Sequence, residues 1–183
     1  MRVIAGTLGG RRLRAPRGSS TRPTSDRVRE ALFAMLGPID GALVLDLFAG
    51  TGALGIEALS RGARAAVFVE RSPRALEVLR ANLGALDLAP ERAEVRPGDA
   101  LATLRMAAER GEKYDLVLLD PPYATAHALD AGLSELVPTV LADGGRVVAE
   151  SDRRAPLELL ASGLARERDR RYGDTSITIH RHR

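Results

Sequence analysis

Val44-Leu45-Asp46-Leu47-Phe48-Ala49-Gly50-Thr51-Gly52-Ala53-Leu54-Gly55 is the stretch that decides how this chain folds. Its apolar start reads as the end of a buried parallel strand over 43–47, and the spacing after it predicts a helix over 53–61. Between them Gly50, Gly52 and Gly55 stand as G-x-G-x-x-G. Glycines so placed let the backbone turn tightly and let a ligand approach it closely. A strand, a glycine turn and a helix in that order open a βαβ unit.

The pattern continues downstream. Further strands are expected at 65–69, 93–96, 115–119 and 145–150, and helices at 73–84, 99–109, 126–141 and 155–163. Such alternation implies an α/β domain, a mostly parallel sheet with helices on both faces. The last stretch, around 166–172 and 175–180, alternates without room for a helical crossover, so Thr175–Ile179 is expected to add an antiparallel hairpin strand at the sheet edge. Upstream, 2–5 and 11–14 bracket Gly6, Gly9 and Gly10 as a small hairpin, and 15–24 reads as loop. Ser25 or Thr24 is expected to cap a helix over 26–36, ended by Gly37-Pro38. The expected division is an N-terminal extension, 1–37, and a catalytic domain, 38–183.

At 183 residues and 45% hydrophobic, the chain can bury a sizeable core, and with 3% aromatics that core must be aliphatic. No apolar run is long enough to span a membrane, and no apolar signal region follows Arg2. The absence of cysteine excludes disulfides, thiolate metal sites and Cys nucleophiles, including the pyrimidine C5-methyltransferases that need one. A cytoplasmic monomer without a metal is expected. The net charge of +3 is unevenly placed: +6 over residues 1–30, −6 over 31–165 and +3 over 166–183. The cations are nearly all Arg, Lys113 being the one lysine, and Arg suits bidentate phosphate contact and stacking on bases. An acidic body with Arg-rich ends points to a nucleic-acid grip.

Two constellations carry chemistry. The strand after the glycine turn ends at Glu70, 20 residues past Gly50, where an acid can accept from ribose hydroxyls. This fits NAD or S-adenosylmethionine. A pyrophosphate wants donors and positive charge at the helix start, yet Asp46 precedes the loop and no Lys or Arg lies in it. Gly98-Asp99-Ala100 follows the third strand, and Asp99 can accept from an adenine amine or simply cap the next helix. S-adenosylmethionine, cationic and free of phosphate, fits better. The second constellation is Asp120-Pro121-Pro122-Tyr123, directly after Leu116-Val117-Leu118-Leu119. The prolines stop the strand and donate nothing, which leaves the Asp120 carboxylate and the Pro121 carbonyl as acceptors beside an aromatic ring. Such a cluster holds a planar exocyclic amine, draws its lone pair out of conjugation and lets Tyr123 stack on the attached ring. That is the chemistry of methylating a base amino group.

Together these stretches resemble the RsmD family of bacterial small-subunit rRNA guanine-N2 methyltransferases over nearly the whole chain. The resemblance is carried by Met1–Gly6 with Gly10-Arg11-Arg12-Leu13, by Arg22–Phe33, by Val44–Gly55 and by Asp120–Tyr123. Arg22–Phe33 is the most specific of these; the cofactor and Asp-Pro-Pro-Tyr motifs occur in many amino-methyltransferases. The resemblance implies a class I, Rossmann-like S-adenosylmethionine-dependent methyltransferase fold with seven strands. It also implies methyl transfer to the N2 of one guanine in 16S rRNA, on an assembled or partly assembled small subunit. The cofactor set it implies is Asp46, Phe48, Gly50, Gly52, Glu70, Arg71, Asp99 and Ala100. Asp120, Pro121, Pro122 and Tyr123 would hold the flipped base, Arg11, Arg12 and Arg14 would face RNA, and Arg22, Arg27 and Arg29 would face RNA or close over the cofactor. The competing readings are an adenine-N6 DNA methyltransferase, for which little chain remains to recognise a target, and a glutamine-N5 methyltransferase, which would carry Asn-Pro-Pro-Tyr. A non-enzymatic RNA-binding protein and an NAD oxidoreductase are further alternatives.

Overall fold

The computed structural model describes residues 1–15, 26–159 and 163–183. The elements run α1 (Asp26–Leu36), β1 (Leu43–Asp46), α2 (Ala53–Ser60), β2 (Ala65–Glu70), α3 (Pro73–Ala85), β3 (Ala93–Pro97), α4 (Ala100–Glu109), β4 (Tyr114–Leu119), α5 (Tyr123–Val140), β5 (Leu141–Asp152), β6 (Leu164–Tyr172) and β7 (Thr175–His182). The seven strands form one sheet in the order β3-β2-β1-β4-β5-β7-β6. Strands β1 to β5 are mutually parallel, and β7 runs antiparallel to both β5 and β6. One reversed strand beside a parallel sheet is the class I methyltransferase arrangement. The reversed strand is not the outermost one: β7 lies between β5 and β6, and β6 is the edge. The two-residue turn Gly173-Asp174 makes β6 and β7 neighbours; β7, buried from Thr175 to His180, takes the inner place against β5, and the mostly exposed β6 is left at the edge.

Two apolar layers cover the faces. One joins α1, α2 and α3 to the sheet through residues such as Leu32, Phe33, Ile56, Leu59, Phe68 and Leu79. The other joins α4 and α5 through Leu104, Val117, Leu133, Val137 and Val147. Both are mainly aliphatic, as the scarcity of aromatics demands.

Three local expectations shift, each for a visible reason. The fifth helix begins at Tyr123 rather than at 126, because the Pro122 carbonyl already accepts from Thr125 N and Ala126 N. Strand β5 begins at Leu141 rather than 145, with a register shift opposite Tyr114/Leu116 where Gly144 takes φ 69°. The helix expected over 155–163 is absent from its described part, 155–159. There Asp130 of α5 accepts from Glu158 N (3.3 Å) and Leu159 N (3.2 Å), while Leu157 and Leu159 are buried. Side-chain capture of those N–H groups replaces the helical ladder. Residues 160–162 lie outside the described residues, as do the loop expected from 16 onward and the capping positions Thr24 and Ser25.

The N-terminal hairpin exists as a ribbon with one antiparallel bridge, Arg2↔Arg12, and it packs on α2. Val3 and Leu13 are buried in the same apolar layer as α1 and α2. Gly6 is required there: its φ is 83°, and a Cβ would stand 1.8 Å from the Ser60 carbonyl oxygen.

Candidate active site

The chain reverses its winding between β1 and β4, which are neighbours in the sheet although α2, β2, α3, β3 and α4 separate them in sequence. In an open α/β sheet, ligands bind in the crevice beyond the strand carboxyl ends at such a switch point. Asp46 ends β1, Glu70 ends β2, and Asp120 directly follows β4. Asp99 follows β3 by two residues. The fold therefore brings to one rim the acids that are spread over 75 positions of sequence, from Asp46 to Asp120.

Asp46 is fully buried. Its Oδ2 accepts from Gly55 N (2.9 Å) at the start of α2, and its Oδ1 is buried without a hydrogen-bond partner. Burial pushes the carboxyl up to about 7. The Gly55 and Phe48 peptides oppose this, and the nearby Asp120 and Glu70 carboxylates add to it. An orphaned acid oxygen in a crevice rimmed by carboxylates suits a cationic ligand. Beside it Gly52 takes φ 87°, and a Cβ there would lie 2.5 Å from Leu79 Cδ1. Gly52 thus packs tightly on α3, while a Cβ at Gly50 (φ 55°) would meet only the Phe48 carbonyl oxygen at 3.9 Å, so the loop is bare at that point. The residues present fit S-adenosylmethionine: a cation for the acids, and no phosphate for a loop without Lys or Arg.

Because the folded carboxyl is raised, the native chain holds a proton that the unfolded chain has lost. Stability should therefore fall as pH rises from 3.8 to about 7. Asp46→Asn, which cannot ionise, should flatten that part of the profile. Denaturant titrations across the interval test this, and superimposable profiles for parent and variant would refute it.

Glu70 accepts from Gly50 N through Oε2 (2.9 Å) and from Ser72 N through Oε1 (2.7 Å). It pins the glycine loop to the end of β2, and each oxygen keeps a second lone pair for a ligand hydroxyl. Asp99 caps α4, accepting from Ala102 N (3.1 Å), and is exposed at the rim. Ala100 is buried, Phe48 is half-buried against the α4/α5 layer, and Arg71 is exposed directly after β2.

Pro121 is buried and Pro122 is exposed at the start of α5. Tyr123 is 38% exposed, and its hydroxyl lies 3.5 Å from Thr175 Oγ1 at the start of β7. Burial raises its phenol pKa, and the Glu150, Asp120 and Asp152 carboxylates add to that, so the hydroxyl stays neutral. The ring is thereby both anchored and accessible.

The arginines divide. Arg11, Arg12, Arg14 and Arg27 are exposed, Arg11 donating to the Ala85 carbonyl (2.8 Å). Arg22 lies outside the described residues. Arg29 is a correction: its side chain is 0% exposed, so it does not face RNA. It bonds the Arg2 carbonyl, pairs with Asp26 (3.2 Å) and lies 3.6 Å from Glu57. A guanidinium so enclosed ties α1, the N-terminal ribbon and α2 together.

Two residues that sequence reasoning passed over complete this frame. Glu57 of α2 accepts from Ile4 N (2.7 Å), Ala5 N (3.1 Å) and Arg61 Nε (2.7 Å). Its signal was a lone acid within the apolar helix Ala53–Ser60. Asn82 of α3, 1% exposed, donates to the Thr51 carbonyl (2.9 Å) and exchanges hydrogen bonds with Arg14 N and O. It clasps the ribbon's end to the glycine loop, and nothing in its sequence neighbourhood announces that.

A family model described as "Conserved hypothetical protein 95" matches residues 1–181. Ribosomal RNA small subunit methyltransferase D of Escherichia coli (strain K12) is 39% identical over 82% of this chain and 71% of its own length. The chain belongs to the RsmD family. Another relative, YlbH of Bacillus subtilis (strain 168), is 42% identical over 100% of both chains. Among solved structures, the yhhF protein of Escherichia coli superposes with a TM-score of 0.86 at 34% identity, covering 100% of this chain and 97% of the other. Family membership thus spans the ribbon as well as the sheet.

Proposed function

We propose that this protein methylates the exocyclic N2 amine of a guanine in small-subunit 16S rRNA, with S-adenosylmethionine as methyl donor. The observation that carries the reading is the convergence of Asp46, Glu70 and Asp120 with Tyr123 on the crevice where the sheet reverses its winding. The name of one relative, ribosomal RNA small subunit methyltransferase D, supports rRNA as the substrate class.

The donor, when bound, supplies an electrophilic methyl group. Asp46 and the bare Gly50–Gly52 loop hold its cationic end, Glu70 its ribose, and Asp99 its adenine, with Phe48, Arg71 and Ala100 around them. Asp120 and the Pro121 carbonyl accept hydrogen bonds from the two amine N–H groups of the target base, Tyr123 stacks on its ring, and once the methyl has been transferred one amine proton leaves to Asp120 or to water. Holding the nitrogen in line contributes several kcal/mol to lowering the barrier. Asp120 also stabilises the positive charge that builds on nitrogen during transfer. A base stacked in a helix cannot enter the crevice, so the guanine is unpaired or flipped out. Residues 1–37 form an RNA-binding extension in which Arg11, Arg12, Arg14, Arg22 and Arg27 meet phosphates of an assembled or partly assembled subunit.

The deciding experiment offers labelled S-adenosylmethionine with small subunits, naked 16S rRNA and duplex DNA, and maps the modified nucleoside. N2-methylguanosine in rRNA is the expected product. N6-methyladenine in DNA, or no transfer to any nucleic acid, would overturn the reading.

Glu70→Ala should weaken S-adenosylmethionine binding by roughly ten- to a hundredfold, since a charge-assisted bond contributes about 1.5–3 kcal/mol and the Gly50 tether is lost with it. Calorimetry checks this, and unchanged affinity would leave Glu70 as a loop tether alone.

A further inference from the structure

The sheet's outer edge carries a second cationic surface beside the candidate catalytic aromatic. Strand β6 reads Leu-Ala-Arg-Glu-Arg-Asp-Arg-Arg-Tyr, and it is the open edge. Asp152, the last residue of β5, pairs with Thr175, and Thr175 pairs with Tyr172. The carboxyl end of β6 therefore lies at the same end of the sheet as Asp120. Tyr123 confirms the adjacency through its hydroxyl contact with Thr175. The turn after β5 joins the same corner, because Arg153 N donates to the Asp174 carbonyl (2.8 Å).

Arg153, Arg154, Arg170 and Arg171 are all exposed there. Side chains of adjacent strand residues leave on opposite faces, so Arg170 and Arg171 straddle the edge. Of the acids along the hairpin, Asp169 pairs with Arg166 and Glu167 with Arg181, while Asp152, which accepts from Arg154 N, and the exposed Asp174 lie in the corner itself. None of the four arginines forms an ion pair with a carboxylate among the described residues. Charges on an edge strand can serve only to discourage strand pairing, a task for which Lys is the usual choice. Here every cation of the corner is Arg, whose fork fits phosphate.

Resting on the rRNA reading above, we infer that Arg153, Arg154, Arg170 and Arg171 form a phosphate-binding rim that receives the RNA strand flanking the target base, next to Tyr123 and beside α1, whose Met35 meets the Tyr172 hydroxyl at 4.0 Å. The rim holds backbone and reads no sequence, so it acts on capture rather than on the chemical step.

The test compares the parent with R153Q/R154Q/R170Q/R171Q, using small subunits from cells lacking the enzyme and naked 16S rRNA as probes. A second variant, R64Q/R105Q, removes exposed arginines away from this corner. S-adenosylmethionine affinity, read by calorimetry, should match the parent in both variants, which shows that the fold is intact. The fourfold variant should bind RNA roughly 10- to 100-fold more weakly, with a salt slope shallower by up to about 3. Its turnover at saturating substrate should stay near the parent's, so the loss falls on KM, and R64Q/R105Q should behave as the parent. Equal RNA affinity and equal salt slope in the fourfold variant and parent would overturn the rim while leaving the rRNA reading in place. An effect of the same size in R64Q/R105Q would overturn it too, as general charge loss. A parent that captures neither probe would overturn both.

Discussion

Asp120→Ala should lower methyl transfer by about 100-fold or more while leaving cofactor affinity close to the parent's. The residue directly follows β4, one strand away from Asp46, and its charge is felt by both Asp46 and Tyr123. Its proposed bond to the target amine strengthens as positive charge develops on nitrogen, so its removal falls on the transition state more than on substrate binding. The glycine loop, held by Glu70 and Asn82, is untouched by the change. Asp120→Asn makes the sharper comparison, since it keeps the shape and loses the charge. Single-turnover rates with labelled donor and small subunits, beside calorimetry of the donor, measure both halves. Turnover near the parental rate in Asp120→Ala would remove the catalytic assignment.

The second large effect concerns stability. Glu57→Ala should destabilise the fold by about 3–5 kcal/mol, the usual range when one member of a buried charge pair is deleted. Glu57 and Arg29 both have 0% exposed side chains, and Arg29 already has Nε and Nη1 without a hydrogen-bond partner. Deleting the carboxylate isolates the guanidinium further and frees the Ile4 and Ala5 N–H groups that it holds. Replacing both charges, as in Arg29→Met with Glu57→Leu, should recover much of the loss, because apolar substitutes for a buried pair are often neutral or better. Denaturant unfolding of the two variants tests this. A loss below about 1 kcal/mol in Glu57→Ala would show the network to be dispensable.

These two predictions differ in how far they were legible beforehand. Asp120 could be read from sequence because its signals are local: an apolar strand, two residues that cannot donate, and an aromatic. The same holds for Asp46, the glycine loop and Glu70, where a strand end fixes which way the next side chains face. Glu57 and Asn82 could not be read in this way. Their partners, Ile4, Ala5, Arg14 and Thr51, lie 31 to 68 residues away, and no periodicity reports such a contact.

Hydrophobic period and glycine spacing by themselves determined the α/β class, the parallel sheet and the order of most elements, because burial on both faces imposes a continuous apolar strand and a 3.6-residue helix stripe. Tertiary structure decided what competes with those local preferences. Asp130 captured the N–H groups of Glu158 and Leu159, and the expected helix did not form there. The buried run from Thr175 to His180 put β7 against β5, so the hairpin's arginine-rich strand became the edge. Arg29, in sequence one more cation of an Arg-rich end, was drawn inside by Glu57, Asp26 and the Arg2 carbonyl. For the 155–159 segment and for Arg29 a long-range polar partner outweighed what the neighbouring residues favoured, because a buried donor or acceptor left unpaired costs more than a local propensity supplies.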